Sequence, residues 1–219
     1  MKITMFPEVL EKVGVNRDQR GGFPRARPSH CTPAGLTFVI IPDANNLQIL
    51  IFKDNQIVPD VISVAPGKLL EVKYKSNVEV KLGNELRPKQ VQEAPEVKYE
   101  ADAGDYYTLL LTDPDAPSRK NPTVREFSHW LVVNIPGSKV SEGDNIREYM
   151  GSAPPEGTGL HRYVFLLYKQ NGKQTFDEPH QVATDGNRGR FSTAQFAKKH
   201  NLGNPIAGNF FQAQWEKSK

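Results

Sequence analysis

The chain has almost no cysteine. Cys31 is the only one in 219 residues, so an internal disulfide is impossible, and a reducing, cytoplasmic setting is the expected one. No apolar run approaches the ~20 residues that a membrane-crossing helix needs. The two richest, 36–41 and 47–52, are short and separated by Pro42-Asp43-Ala44-Asn45-Asn46. No basic start is followed by an apolar stretch of about 7–15 residues, as a secretory signal requires. Glu8, Glu11 and Asp18 argue against a mitochondrial presequence. The single Asn-x-Ser/Thr match has Pro122 between Asn121 and Thr123, which disqualifies it as a glycosylation acceptor. Charge of one sign is also scarce: 28 Lys and Arg against 25 Asp and Glu leave +3, too slight a bias to argue for a nucleic-acid partner.

Catalytic signatures are missing too. No G-x-S-x-G elbow activates a serine, since Gly151-Ser152 runs into Ala153-Pro154-Pro155, and Ser118 and Ser128 lack that context as well. No glycine loop carries the G-K-[ST] of a nucleotide-binding loop. Asp113, His129 and His161 could in principle form a two-histidine, one-carboxylate metal site, but the His-x-Asp/Glu or E-x-x-H spacing usual for such sites is absent. The expectation is a non-enzymatic protein without cofactor or metal.

The length suits one domain with an appendage. Residues 16–33 are loaded with Arg17, Arg20, Gly21, Gly22, Pro24, Arg25, Arg27 and Pro28. So little apolar surface cannot offset the entropy of ordering the segment, so 1–46 is expected to be a disordered extension and 47–219 the folded domain. RNA or acidic lipid is a weaker expectation for the Arg-rich tail, because only Phe23 is interleaved among its charges. The runs 36–41 and 47–52, with turn residues between them, either add a hairpin to the core or do not fold natively.

From Lys53 onward the pattern is regular. Residues 69–74 and 78–82 alternate apolar and polar, as half-buried strands do. Residues 86–91 form a turn, 96–99 a short strand, and 145–150 a short helix or edge segment. The best helix is 192–200, with Ser192 or Thr193 as N-cap, Phe196 facing inward, and Lys198-Lys199-His200 at the C-terminal end. Residues 208–215 make a last strand. The class is mostly β, an all-β sandwich with one or two short peripheral helices.

The informative stretch is 106–168. Four polar or Gly/Pro-rich pieces there abut apolar runs: Thr112-Asp113-Pro114-Asp115-Ala116-Pro117-Ser118, Arg125-Glu126-Phe127-Ser128-His129-Trp130, Gly151-Ser152-Ala153-Pro154-Pro155-Glu156-Gly157-Thr158-Gly159, and His161-Arg162-Tyr163-Val164-Phe165. Strand ends carrying a shared site have this form. Alternation places His161, Tyr163, Phe165 and Leu167 on one face and Arg162 on the other. It places His129 with Phe127, Leu131 and Val133, opposite Trp130. Two imidazoles, the Asp113 carboxylate to orient one of them, and the backbone N–H groups of a Gly151–Ala153 turn would together make a small anion hole, with Pro154 and Pro155 as a rigid rim.

DPDAPSRKNP, REFSHWLVVNIPG, EYMGSAPPEGTGLHRYVFLLY and NFFQAQW, in this order and spacing over roughly 57–215, resemble the phosphatidylethanolamine-binding protein family, which includes the Raf kinase inhibitor proteins. The resemblance implies a central antiparallel β-sheet packed on a smaller one. It implies a pocket for phosphatidylethanolamine-type headgroups or other phosphorylated small ligands, at Asp113, Ala116, Pro117, Phe127, His129, Gly151, Ala153, Pro154, Pro155, His161 and Tyr163. Asp115 and Arg162 would pair and brace it. A protein kinase or serine protease is the partner implied by the alternative job, inhibition through the same pocket and the 118–123 loop. A monomer is expected. Phe127 stands where the family often has Trp, Val124 and Phe211 where Tyr is common, and Ala153 where Gly is common, so the rim should be more apolar. The family's C-terminal helix has no counterpart before Lys219, which leads to the expectation of a more open mouth.

Overall fold

The structure, a computed structural model, describes residues 43–217. The expected disordered extension falls almost wholly on residues outside that range. Its last residues do not: Asp43 caps a helix, accepting from the Asn46 N–H at 2.8 Å, and α1 spans Ala44–Asp54. The 47–52 run is therefore helical and is not one arm of a hairpin. A short apolar run fits helix or strand equally well, and here the cap decides. One turn apart, Gln48 and Phe52 face inward. Gln48 donates to the Pro66 and Lys68 carbonyls, and Phe52 meets Phe210 edge-on at 5.6 Å. A short helical turn, α2 (Ile57–Asp60), follows. Among the described residues no helix is long and apolar enough to cross a membrane.

The remaining elements are β1 (Lys68–Leu69), β2 (Glu71–Lys73), β3 (Glu96–Lys98), β4 (Tyr106–Asp113), β5 (Phe127–Pro136), β6 (Asp144–Arg147), β7 (His161–Gln170), α3 (Thr193–Lys199) and β8 (Ala207–Ala213). A six-stranded sheet runs β1-β8-β7-β4-β5-β6, antiparallel except for the parallel β1–β8 pair, and β2 and β3 form a second, small sheet. This is the mostly-β architecture expected, a large sheet with a smaller one and few short helices. Of the expected 145–150 segment, residues 145–147 fall in edge strand β6 and 148–150 lie beyond it, while α3 begins at the expected cap, Ser192, with Phe196 buried. The 78–82 stretch departs from the expectation. It makes an isolated bridge to β2 and then leaves the sheet, because the Asn209 side chain takes up the Leu82 N–H and donates to the Leu70 and Val80 carbonyls.

The large sheet is buried on both faces. Tyr107, Leu109, Leu111, Trp130, Val132 and Phe165 pack with Val72, Tyr74 and Val97 of the small-sheet layer. Leu110, Leu131, Val133, Val164 and Leu166 pack with Phe52, Ile57 and Phe196 of the helices. This double burial explains why β4, β5 and β7 read as apolar runs rather than as clean alternation.

Strict alternation in β5 fails at two places, between Val132 and Ile135 and again at its start, where a site residue is involved. Leu111 pairs with Trp130, yet the next residue, Thr112, pairs with Ser128. The extra residue is a β-bulge at His129. It turns His129 away from Leu131 and Val133 onto the Trp130 face, where its ring lies 5.1 Å from Tyr163 and 5.0 Å from Phe127. The expected placement of His129 with Leu131 and Val133 is thus corrected, while its partnership with Phe127 holds.

On the opposite side of β7, Arg162 is wholly buried. Its Nε donates to Asp115 Oδ2 at 2.8 Å, its backbone N–H donates to the same oxygen at 2.9 Å, Nη1 donates to the Asn55 carbonyl at 2.7 Å, and Nη2 donates to Asp60 at 2.8 Å. Burial alone would raise the Asp115 carboxyl, but the Arg162 guanidinium outweighs it and holds the group below its ordinary range. The pair locks the loop after β4 to β7 and to the α1–α2 segment. Asp115→Asn should therefore lower the unfolding free energy by about 3–5 kcal/mol in urea titration at neutral pH, as removal of one partner strands a buried charge. A loss below about 1 kcal/mol would contradict the brace.

Candidate functional site

Asp113 ends β4 and His161 begins β7, and the antiparallel register sets these two ends side by side. His161 Nδ1 donates to Asp113 Oδ2 at 2.8 Å. The other carboxylate oxygen of Asp113 accepts the Asp115 N–H at 2.7 Å. Both oxygens are therefore engaged, and the carboxylate fixes the orientation of the imidazole. His161 is 1% exposed. Its Nε2 lies 2.9 Å from the Thr158 hydroxyl, which is also 2.7 Å from the Pro155 carbonyl.

His129 enters through the bulge. Its Nδ1 lies 2.9 Å from the Met150 carbonyl, which can only accept, so Nδ1 carries the proton. The backbone of His129 in turn accepts the Met150 N–H at 2.9 Å. These two bonds moor the start of the Gly151–Pro155 loop to β5. Nε2 of His129 has no hydrogen-bond partner among the described residues. Burial pushes the His129 imidazole below its ordinary pKa. The Asp113 charge and the Met150 carbonyl pull the other way, and the nearby Arg188 and His161 add to the lowering.

The loop itself is held by close approach. A Cβ on Gly151 would stand 2.9 Å from the Val91 carbonyl oxygen and 2.9 Å from Gln92 Cα, which explains the glycine. The Ala153 amide lies near the Tyr163 hydroxyl. Burial and the Asp113 charge push the Tyr163 phenol well up, so it stays protonated. Phe211 stacks on Tyr163 at 4.9 Å. Pro154 is buried and Pro155 exposed, and on the loop after β4 Ala116 is buried and Pro117 exposed.

The structure thus brings Asp113, Phe127, His129, Ala153, His161 and Tyr163 into one connected cluster. Ala116, Pro117, Gly151, Pro154 and Pro155 lie on the two loops flanking it, and Asp115 with Arg162 lies behind. The mouth is not open as expected: His129 and His161 are 5% and 1% exposed, covered by aromatic rings and Thr158. The metal alternative gains no support, because Asp113 and His161 turn their ligand atoms on each other. Asp177, Glu178 and His200 do approach one another, but Lys199 already bridges the two carboxylates.

Three contributors were not legible in the sequence. Thr158 sits between two loop glycines, a position that marked a turn and no more. Arg188, also wholly buried, donates to the carbonyls of His129, Glu148, Gln181 and Val182 and ties the bulge to the following loop. Asp60 reaches Arg162 from a sequence distance of 102 residues, with no local signal.

The clefts with large volumes lie elsewhere. One of about 880 Å³, lined by Lys68, Tyr99, Asp102, Tyr107 and Lys169, sits at the other end of β4 and β7.

A family model described as "Phosphatidylethanolamine-binding protein" matches residues 62–211. The curated Drosophila melanogaster protein named "Putative odorant-binding protein A5" is 36% identical over 167 residues, 76% of this chain and 80% of that one. The solution structure of CG7054 is 46% identical, with a TM-score of 0.61, over 73% of this chain and 92% of the other. A carboxypeptidase Y inhibitor, solved in complex with its cognate proteinase, is 31% identical, with a TM-score of 0.70, over 80% of this chain and 98% of the inhibitor. With its fold and a family match over most of its length, this chain belongs to the phosphatidylethanolamine-binding protein family.

Proposed function

We propose that the protein binds a phosphate-bearing ligand, of the phosphatidylethanolamine headgroup type, in the His129–His161 cluster, and that it does so without catalysis. The observation carrying this reading is the convergence of two imidazoles from different strands beside a Gly/Pro loop, one oriented by a carboxylate and the other by a carbonyl. Among the described residues no arginine or lysine bonds to a side chain of the cluster, Arg188 reaching only the His129 carbonyl, and Asp113 contributes a negative charge. Affinity for an anion therefore depends on protonated imidazole. At neutral pH, His129 Nε2 offers a lone pair and suits a ligand that brings a proton, such as a protonated phosphate oxygen or an ammonium group. At lower pH it becomes a donor.

A second reading has its own support. The similarity to an inhibitor solved with its proteinase favours protein inhibition through the same face. A serine carboxypeptidase assay tests it: inhibition that is unaffected by His129 and His161 substitutions would favour a protein partner over a small ligand. A kinase partner would be tested in the same way.

Two outcomes follow from His129. Its folded pKa lies below the unfolded value of about 6.5, so the unfolded chain takes up the proton first. Stability contributed by the neutral ring is full above about pH 6.5 and falls as pH drops through the window between the two values. Urea midpoints should decrease from about pH 7 to about 5, with a shallower slope in His129→Gln. Binding has the opposite sign. NMR titration of the histidine rings with phosphate and O-phosphorylethanolamine, from about pH 8 to about 5.5, should show His129 and His161 moving together and affinity rising as pH falls. His161→Gln should weaken binding about tenfold or more, the worth of a charge-assisted hydrogen bond. Silence of both rings would defeat the reading.

A further inference from the structure

We infer that Thr158 is a positioning residue whose hydroxyl competes with the ligand for His161 Nε2, so that the 157–159 turn must release the imidazole before a phosphate oxygen can take its place. The inference rests on the anion-binding reading above. His161 offers a ligand nothing as it stands. Its Nδ1 is committed to Asp113, its Nε2 lies 2.9 Å from Thr158 Oγ1, and 1% of its surface is exposed. Thr158 is half-buried and lies on the exposed loop that precedes His161.

The hydroxyl is also over-subscribed. It has one proton and two neighbours able to accept it, His161 Nε2 and the Pro155 carbonyl at 2.7 Å. The Pro155 carbonyl keeps a backbone partner in any case, the Thr158 N–H at 3.3 Å. The hydroxyl can therefore leave the Pro155 carbonyl without stranding it, whereas leaving Nε2 strands a buried nitrogen unless a ligand takes its place. The turn is flanked by glycines in left-handed conformation, with open space around it. Gly157 and Gly159 have φ of +76° and +78°, with nothing within 4 Å of a Cβ at either position. Both glycines serve backbone conformation and neither relieves a packing clash. A protonated phosphate oxygen standing where Thr158 Oγ1 stands would donate to Nε2 as the hydroxyl does, so ligand and hydroxyl are alternatives.

Three full-length proteins test this: wild type, Thr158→Val, which trades the hydroxyl for a methyl group, and Thr158→Ser, which keeps the hydroxyl and drops the methyl. Calorimetry with inorganic phosphate should show Thr158→Val binding about 3- to 10-fold tighter than wild type, the fold-change equivalent to one ordinary hydrogen bond. Thr158→Ser should match wild type. Without ligand, the ¹⁵N resonance of His161 Nε2 should move in the Val variant and stay in the Ser variant. Equal or weaker binding by the Val variant, or a Ser variant as altered as Val, overturns the competition. An unmoved Nε2 resonance in Thr158→Val overturns the contact itself, whatever phosphate does. A moved resonance with no phosphate binding in any of the three defeats the anion-binding reading and leaves the contact standing, distinguishing the two failures.

Discussion

Arg162 carries a full charge into a position where water has no access, and the molecule is arranged to satisfy it. Asp115 answers it from the loop after β4, Asp60 from α2 and the Asn55 carbonyl from the end of α1. An uncompensated guanidinium there would cost several kcal/mol, so three otherwise separate segments are held to one geometry. The consequence for the site is direct. Asp113 lies two residues from Asp115, and His161 one residue from Arg162, so the register that closes the ion pair also closes the Asp113–His161 pair. The same two strand ends thus carry two carboxylate–base pairs back to back. One is locked and structural, and the other lies beneath a loop.

His129 needs a different device. On a regular β5 its side chain would point into the helix-facing layer with Leu131 and Val133, with the sheet between it and His161. The bulge opposite Leu111 and Thr112 inverts the alternation over one residue and places the imidazole beside Tyr163. Arg188 stabilises that irregularity by taking up the His129 carbonyl along with three others. A bulge next to a ligand site is a common way to re-aim one side chain without disturbing the ladder on either side.

These two features separate what the sequence disclosed from what it hid. The strand ends, the partnership of His161 with Tyr163, the opposite placement of Arg162 and the cap of α3 all follow from local periodicity and cap chemistry, and a sequence displays these openly. The α1 helix was obscured because a run such as 47–52 satisfies either periodicity, and its N-cap, Asp43, also reads as a turn residue. The face of His129 was misjudged because a bulge is a property of two paired strands and leaves no mark on one of them. Asp60 and Arg188 could not be found at all. Each acts across the fold on groups that are distant in sequence, and a lone acid or a lone arginine is ordinarily a solvated surface residue.

The two imidazoles are unequal, and the inequality follows from what each Nδ1 faces. His161 faces a carboxylate, which accepts from Nδ1 and fixes the ring's orientation. His129 faces a neutral carbonyl in a dry environment beside Arg188, which favours the neutral ring and leaves Nε2 as an acceptor. Because Thr158 occupies the outward nitrogen of His161 while that of His129 has no partner among the described residues, a ligand of the proposed kind would meet His129 first and His161 only after the turn gives way. A fully charged dianion is poorly suited to that order, since its first contact would set lone pair against lone pair beside the Asp113 charge. On the proposed reading, a ligand that carries a proton or an ammonium group would meet no such barrier, and the asymmetry of the pair, more than the size of the hole, would select it.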